Sequence, residues 1–352
     1  MIRETERVLQ SRSGTFGMEA VARQFATDEH VLVLRNGLFS YRWTEIFEMG
    51  SPLHGIPTSH TVLKAEHIIH LRNESSSSSS SSSSVLHQYA PHNIEEVVAT
   101  IQREKPAAVF APHVETSTGI ILPDNYIRRL ADAVHATDGI LVLDCVASGT
   151  IWIDMKELGV DVVITAPQKV WTAPPCAALV QLSSKAIERM QQTQETSFSM
   201  SLKRWVAVMD AYENGGFAYH TTPPTDCLRD FQEVSVEMLQ FGLPDLKQGQ
   251  INLGTQARSL FQDKALISVA APGFEAPGVL VYYSPHHVEN DVMVRLFQEH
   301  GLQIAKGVSW HIDEPRDTRS FRIGLFGVDK LEHPQDTLDI LDTALDRVLK
   351  EA

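Results

Sequence analysis

One lysine, Lys169, lies in the stretch Ile164-Thr-Ala-Pro-Gln-Lys-Val-Trp171, where the chain has just left an apolar run. An amine held among apolar neighbours can act as a cation, a nucleophile or a proton carrier. Three other polar groups fall at similar points. Asp144 closes the apolar run ILVLD (140–144), and His113-Val-Glu-Thr-Ser-Thr-Gly119 follows AAVFAP (107–112). Near the N-terminus, Ser13-Gly-Thr-Phe-Gly17 precedes the helical pattern MEAVARQFA, so its N–H groups could form an anion site at a helix start. Singly, each has an ordinary reading. An aspartate at a strand end is a cap or turn former, a lysine after a strand is a solvated surface group, and SGTFG is a Gly-rich turn. Together they would converge on one crevice.

The elements that would bring them together are legible in the hydrophobic pattern. Short apolar, β-branched runs, at 31–36, 107–113, 140–146, 160–166 and 177–183, alternate with amphipathic stretches of helical spacing at 93–104, 124–136 and 199–216. Such alternation predicts an α/β fold with a mostly parallel sheet sandwiched by helices, which binds ligands outside the carboxyl ends of its strands. The alternation restarts with VLVYYS (279–284), a helix near 287–299, SFRIGLFG (320–327) and a closing helix over 337–350, which predicts a smaller C-terminal α+β domain. The Pro/Gly-containing stretch GLPDLKQGQ (242–250) is read as the boundary, giving a large domain over 1–241 and a small one over 242–352. The unbroken serine run at 75–84 has no apolar surface to bury and reads as a disordered loop.

Composition narrows the function classes. The chain has 352 residues, 43% of them apolar, enough for a sizeable core. A formal net charge of −14 argues against a nucleic-acid groove, although it leaves room for a small phosphate held by backbone N–H groups. No apolar run reaches the roughly eighteen residues of a membrane helix, and MIRETERVLQ has no signal-peptide core, so a cytoplasmic protein without membrane partners is expected. Cys145, Cys176 and Cys227 show no paired spacing and are read as reduced; no metal ligand set is assigned.

The stretches SGTFGMEA, VLVLRNGLFSYRW, HVETSTG, LVLDCVASGTIWIDMKELGVDVVITAPQKVW, YHTTPPTD and FRIGLFG stand in an order and spacing that resemble the class V aminotransferases. These are pyridoxal-phosphate enzymes of fold type I, and the likeness is to the alanine–glyoxylate and serine–pyruvate branch. The resemblance implies that Lys169 holds pyridoxal 5'-phosphate as a Schiff base and moves the Cα proton, and that Asp144 faces the pyridine nitrogen. It implies a stacking ring at Phe39, phosphate contacts from Ser13, Gly14, Thr15 and Gln168, and a contact to the ring hydroxyl region from Thr116. Tyr219 and Thr222 match residues that reach the phosphate from a neighbouring subunit, so a homodimer with shared sites is implied. Arg322 matches the arginine that clamps the substrate α-carboxylate. The substrates implied are a small alanine- or serine-like amino acid and a glyoxylate- or pyruvate-like 2-oxo acid. Relatives carry a Gly-Pro-containing segment ahead of SGTFG, which starts here at residue 13, so weaker pairing or pocket closure is expected.

Other functions compete. A phosphonate-amine transaminase would share this pattern. A cysteine desulfurase needs a mobile cysteine, whereas Cys145 sits inside a strand run. A non-catalytic dimeric relative would keep the fold without turnover. A dinucleotide oxidoreductase is excluded by the lack of a G-x-G-x-x-G after the first strand.

Overall fold

The computed structural model describes residues 5–11, 13–50, 56, 59–72, 85–285 and 288–351; the serine run lies outside them. Seven strands form the central sheet, in the order Thr5–Ser11, Ala177–Ser183, Val162–Thr165, Ile140–Asp144, Ala108–Pro112, His30–Arg35 and Ser59–Lys64. Ala177–Ser183 runs antiparallel to both of its neighbours, and every other pairing is parallel. All five of these apolar runs expected as strands are strands, with ends within two residues of the expected ones. Thr5–Ser11, Ser59–Lys64 and the hairpin Glu66–Arg72 with Val85–Ala90 were not anticipated. These segments mix charged residues and histidines into their alternation, which blurs a period of two.

Side chains from the two faces of the sheet enter different cores. Val31, Val33, Phe110, Ile140, Val142, Val162 and Ile164 pack with helices Gly14–Phe25, Leu38–Met49 and Leu202–Glu213. Leu32, Leu34, Val109, Leu141, Leu143 and Val163 point the other way, onto Ile94–Glu104 and Asp124–Ala136. The strict alternation of these sets is the pleat of a sheet covered on both sides. A third core surrounds a small antiparallel sheet, Val279–Tyr283 with Ser320–Gly324 and Ala305–Lys306, and takes in helices Leu243–Asp263, Asn290–Glu299 and Pro334–Glu351. The stretch 242–250, read as the boundary between two domains, is helical from Leu243 on. Gly242, at φ 102°, ends helix Thr225–Phe241, and Leu243–Asp263 continues as the next helix, with Pro244 tolerated in its first turn.

Helix Gly14–Phe25 lies unusually close to the sheet. A Cβ on Gly17 would stand 2.7 Å from the Cβ of Ala178 and 3.2 Å from Ile164, and one on Gly14 would stand 2.8 Å from Val146. The glycines of SGTFG therefore act through close approach, and they bring the helix N-terminus down to the sheet edge.

Gly17→Ala should destabilise the protein by ~1–3 kcal/mol through overpacking, although alanine is the better helix former by about 1 kcal/mol. Gly249→Ala is the control, because its added Cβ would meet only Leu331, at 3.8 Å in the middle of a helix, and should raise stability. Urea midpoints measure both; a Gly17→Ala protein as stable as the parent would show that the helix is not packed so closely.

Candidate active site

The carboxyl ends of the parallel strands lie on one edge of the sheet, and a cavity of about 220 Å³ opens there. Gly14, Thr15, Phe39, Thr116, Asp144, Gln168 and Lys169 line it together. They reach it from five separate segments at strand ends. Thr15 stands in the first turn of helix Gly14–Phe25, which has Ser13 as its N-cap in extended backbone and no side-chain cap. Phe39 stands in the first turn of Leu38–Met49, which follows strand His30–Arg35. Thr116 follows the short strand Val114–Glu115, and Asp144 is the last residue of Ile140–Asp144.

Lys169 sits on a turn closed by Thr172 N–H donating to the Lys169 carbonyl (3.1 Å) and Ala173 N–H to that of Pro167 (3.2 Å). The next residues anchor that turn. Val170 is buried in the core of the small sheet, and Trp171 packs against Trp152 (5.3 Å between ring centroids) and Phe231 (5.5 Å). The amine is held low by burial first, then by the guanidinium groups of Arg322 and Arg42, while Asp144 acts in the opposite sense. A larger share of it is therefore neutral and nucleophilic near neutral pH than for an exposed lysine.

Asp144 faces the opposite problem. It is 7% exposed, its Oδ1 accepts the Val146 N–H at 3.0 Å, and burial pushes its carboxyl up to about 6. Val146 pulls against that rise, Glu115 adds to it, and Arg42 and Lys169 offset part of it. A buried carboxyl of this kind, on the wall of a cavity, is suited to a cationic N–H brought by a ligand. Gln168 supplies a second unmet group, for its Oε1 is buried without a hydrogen-bond partner.

Five lining residues were not anticipated: Met18, Arg42, Val114, Val146 and Ala147. Arg42 donates to the Thr15 hydroxyl at 3.1 Å and lies over the Phe39 ring at 5.4 Å, which places a cation beside the helix N-terminus. The signal was available, because Phe39 and Arg42 are three residues apart and share one helix face. Met18 completes that wall from the helix Gly14–Phe25.

Other expected residues stand elsewhere. Arg322 is central in Ser320–Gly324, with its Nε donating to the Lys306 carbonyl at 2.9 Å; it is not among the lining residues, although its charge reaches Lys169. Tyr219 and Thr222 contact each other (3.3 Å), and Tyr219 is 77% exposed rather than turned into this cavity. The three cysteines are free. Burial pushes the Cys145 thiol up to about 12, which suits a packed residue and not a nucleophile. No helix among the described residues is long and apolar enough to cross a membrane.

Comparison with known proteins agrees with this arrangement. Residues 86–238 match the family model for aminotransferase class-V. The chain is 24% identical over 354 residues to alanine–glyoxylate aminotransferase 1 of Saccharomyces cerevisiae, covering 95% of this chain and 82% of the relative. It is 26% identical over 266 residues to the alanine–glyoxylate aminotransferase of Oryctolagus cuniculus, covering 74% of this chain and 64% of the relative. In fold it is similar to the crystal structure of an alanine–glyoxylate aminotransferase from Nostoc sp., with a TM-score of 0.78, 20% identity and coverage of 97% and 81% of the two chains. With its lysine and its buried aspartate on one cavity at the carboxyl edge of the sheet, the chain is similar to the class V aminotransferases, whose family model matches it over residues 86–238.

Proposed function

We propose that this chain binds pyridoxal 5'-phosphate in the cavity and transfers an amino group from a small, alanine- or serine-like amino acid to a glyoxylate- or pyruvate-like 2-oxo acid. The observation that carries this reading is the pairing, on one cavity, of a lysine held low with a buried carboxyl held high. The residues present fit the group. The start of helix Gly14–Phe25, which has no side-chain cap, and the Arg42 guanidinium suit a phosphate, and Gln168 on the cavity wall can turn its side-chain NH₂ to one. The Phe39 ring suits a flat heterocycle, and Asp144 suits a protonated ring nitrogen. When bound, the cofactor supplies an aldehyde that exchanges between amines and a ring that accepts the electron pair of a Cα–H bond.

The chain's own residues supply the rest. Asp144 would hold the ring nitrogen in its protonated form. Lys169 would offer the cofactor a neutral amine and would carry a proton at its Nζ, where Arg42 and Arg322 favour release over retention. Arg322 offers a planar fork to the α-carboxylate that donor and acceptor share. The naming of the relatives from yeast and rabbit favours alanine and glyoxylate as the pair to try first.

We also infer a cytoplasmic homodimer with shared sites, built from parts that divide at Gly242. The exposed aromatic residues Phe198, Tyr212, Phe217 and Tyr219 support pairing, since rings at 59–86% exposure are costly to leave in water. In such a dimer, Tyr219 and Thr222 would reach the partner's cavity.

Lys169→Ala should fold, lose transamination, and no longer retain a borohydride-fixed pyridoxyl group; a group retained on another lysine would sink the assignment. Arg322→Ala should weaken binding of alanine and pyruvate together by ~2–5 kcal/mol, the scale of a broken buried charge pair, and spare an alkylamine without a carboxylate. Equal weakening of all three ligands in a binding titration would mean a structural loss instead.

The buried carboxyl gives a test without turnover. Its folded value of about 6 exceeds the ordinary 3.8, so the folded state binds the proton more tightly than the unfolded state. Asp144 therefore costs the cofactor-free protein stability as pH rises from about 4 to about 6, by roughly 3 kcal/mol in all. Asp144→Asn should raise the melting temperature of the cofactor-free protein at pH 7, change it little at pH 4, and abolish activity. A variant less stable than the parent at both pH values would rule out the unpaired buried carboxylate.

A further inference from the structure

Glu115 does none of the work assigned above, yet its carboxyl is fully buried, at 0% exposure, beside the cavity. Its Oε1 accepts the Phe39 N–H (3.2 Å), the Ser117 N–H (3.1 Å) and the Ser117 hydroxyl (2.8 Å). Its Oε2 accepts the Ser40 N–H and the Ser40 hydroxyl, both at 2.8 Å. All five partners donate, as a carboxylate requires, and none is a cation. The counterweight is the N-terminus of helix Leu38–Met49, two of whose first N–H groups donate to this carboxylate and whose dipole favours an anion there.

The same carboxylate ties two segments together. The Ser117 hydroxyl accepts the Leu38 N–H at 2.9 Å, and the Thr118 hydroxyl donates to the Asn36 carbonyl at 2.8 Å. Gly37 leaves the room, because a Cβ there would stand 2.7 Å from the Glu115 Cγ. One segment carries Phe39 and Arg42, and the other carries Thr116. All three line the cavity.

We propose that Glu115 is the positioning residue of the cavity, its buried carboxylate fixing the first turn of Leu38–Met49 and the Thr116 turn together, so that Phe39, Arg42 and Thr116 meet the cofactor in set places. The assignment rests on the reading of this cavity as a pyridoxal-phosphate site. The charge matters as well as the shape, for Glu115 acts on both Asp144 and Arg322 through space, pushing each toward its protonated form.

Three variants of the full chain test it. Glu115→Gln keeps the shape but sets an NH₂ donor against backbone donors. Glu115→Asp keeps the charge with a shorter reach, and Ser40→Ala removes one donor and leaves the acid. Hydrogen–deuterium exchange of the cofactor-free proteins is read alongside a pyridoxal-phosphate titration followed by the visible dichroism of the bound cofactor. In Glu115→Gln, exchange in peptides covering 36–42 and 115–118 should accelerate roughly tenfold, the scale of a lost helix cap, while helix 124–136 keeps the parent's protection. Cofactor affinity should fall by a similar factor with altered dichroism, Glu115→Asp should recover part of both, and Ser40→Ala should shift both less in the same sense. Should Glu115→Gln not fold, the other two variants carry the same readouts. Unchanged exchange over 36–42, acceleration spread evenly along the chain, or affinity and dichroism equal to the parent would overturn the proposal. A parent that takes up no pyridoxal phosphate would instead remove the reading on which it rests, and the parent titration alone distinguishes that case.

Discussion

The structure is organised around a carboxyl group that the chain buries without giving it a cationic partner of its own. Asp144 ends the strand at the middle of the sheet, flanked by Ala108–Pro112 and Val162–Thr165, whose backbone groups are spent on pairing. The Val146 N–H that it accepts does not offset its burial. Such a group is tolerated where a ligand completes it, because its cost in the empty site becomes binding energy in the filled one. Charges of both signs stand around it, with Lys169 and Arg42 on one side of its balance and Glu115 on the other.

Lys169 is held opposite by a different part of the molecule. The turn that bears it is fastened through Val170 and Trp171 into the core of the small sheet, so the cavity forms where two cores meet. A second connection runs back from the small sheet. Between Ala305–Lys306 and Ser320–Gly324, the chain carries His311 onto the Tyr41 ring (4.2 Å between centroids), with Arg35 over the same tyrosine at 4.7 Å and Lys64 paired to Asp313 at 2.6 Å. The segment that leads into the strand of Arg322 is thus packed against the helix of Phe39.

The local charge inverts that of the whole. A chain of net charge −14 gathers Lys169, Arg42 and Arg322 within electrostatic reach of one another. Their mutual repulsion lowers the lysine, which is useful only while anions are brought to the two arginines. A phosphorylated cofactor and carboxylate substrates have that character.

The amino-acid sequence by itself determined the layered α/β class and the carboxyl-edge location of Asp144 and Lys169, because a pleated sheet buried on both faces writes itself as short apolar runs and the residues that end them are plain to read. It placed a helix just after SGTFG, whereas the structure starts that helix inside the motif, at Gly14, and shows its two glycines in close approach to the sheet. It did not disclose Thr5–Ser11 or Ser59–Lys64, whose alternation is diluted by charge, nor that 243–263 is one helix, since its Pro and Gly imitate a linker while Pro244 stands where a helix tolerates it. Only the tertiary structure decided that Arg42 belongs to the cavity and that Glu115 underlies it. An arginine on an amphipathic helix and an acid in a hydroxyl-rich turn look solvated in a linear pattern. What makes them otherwise is contact across 76 residues of chain, between the Phe39 N–H and the Glu115 carboxylate, which no local pattern encodes.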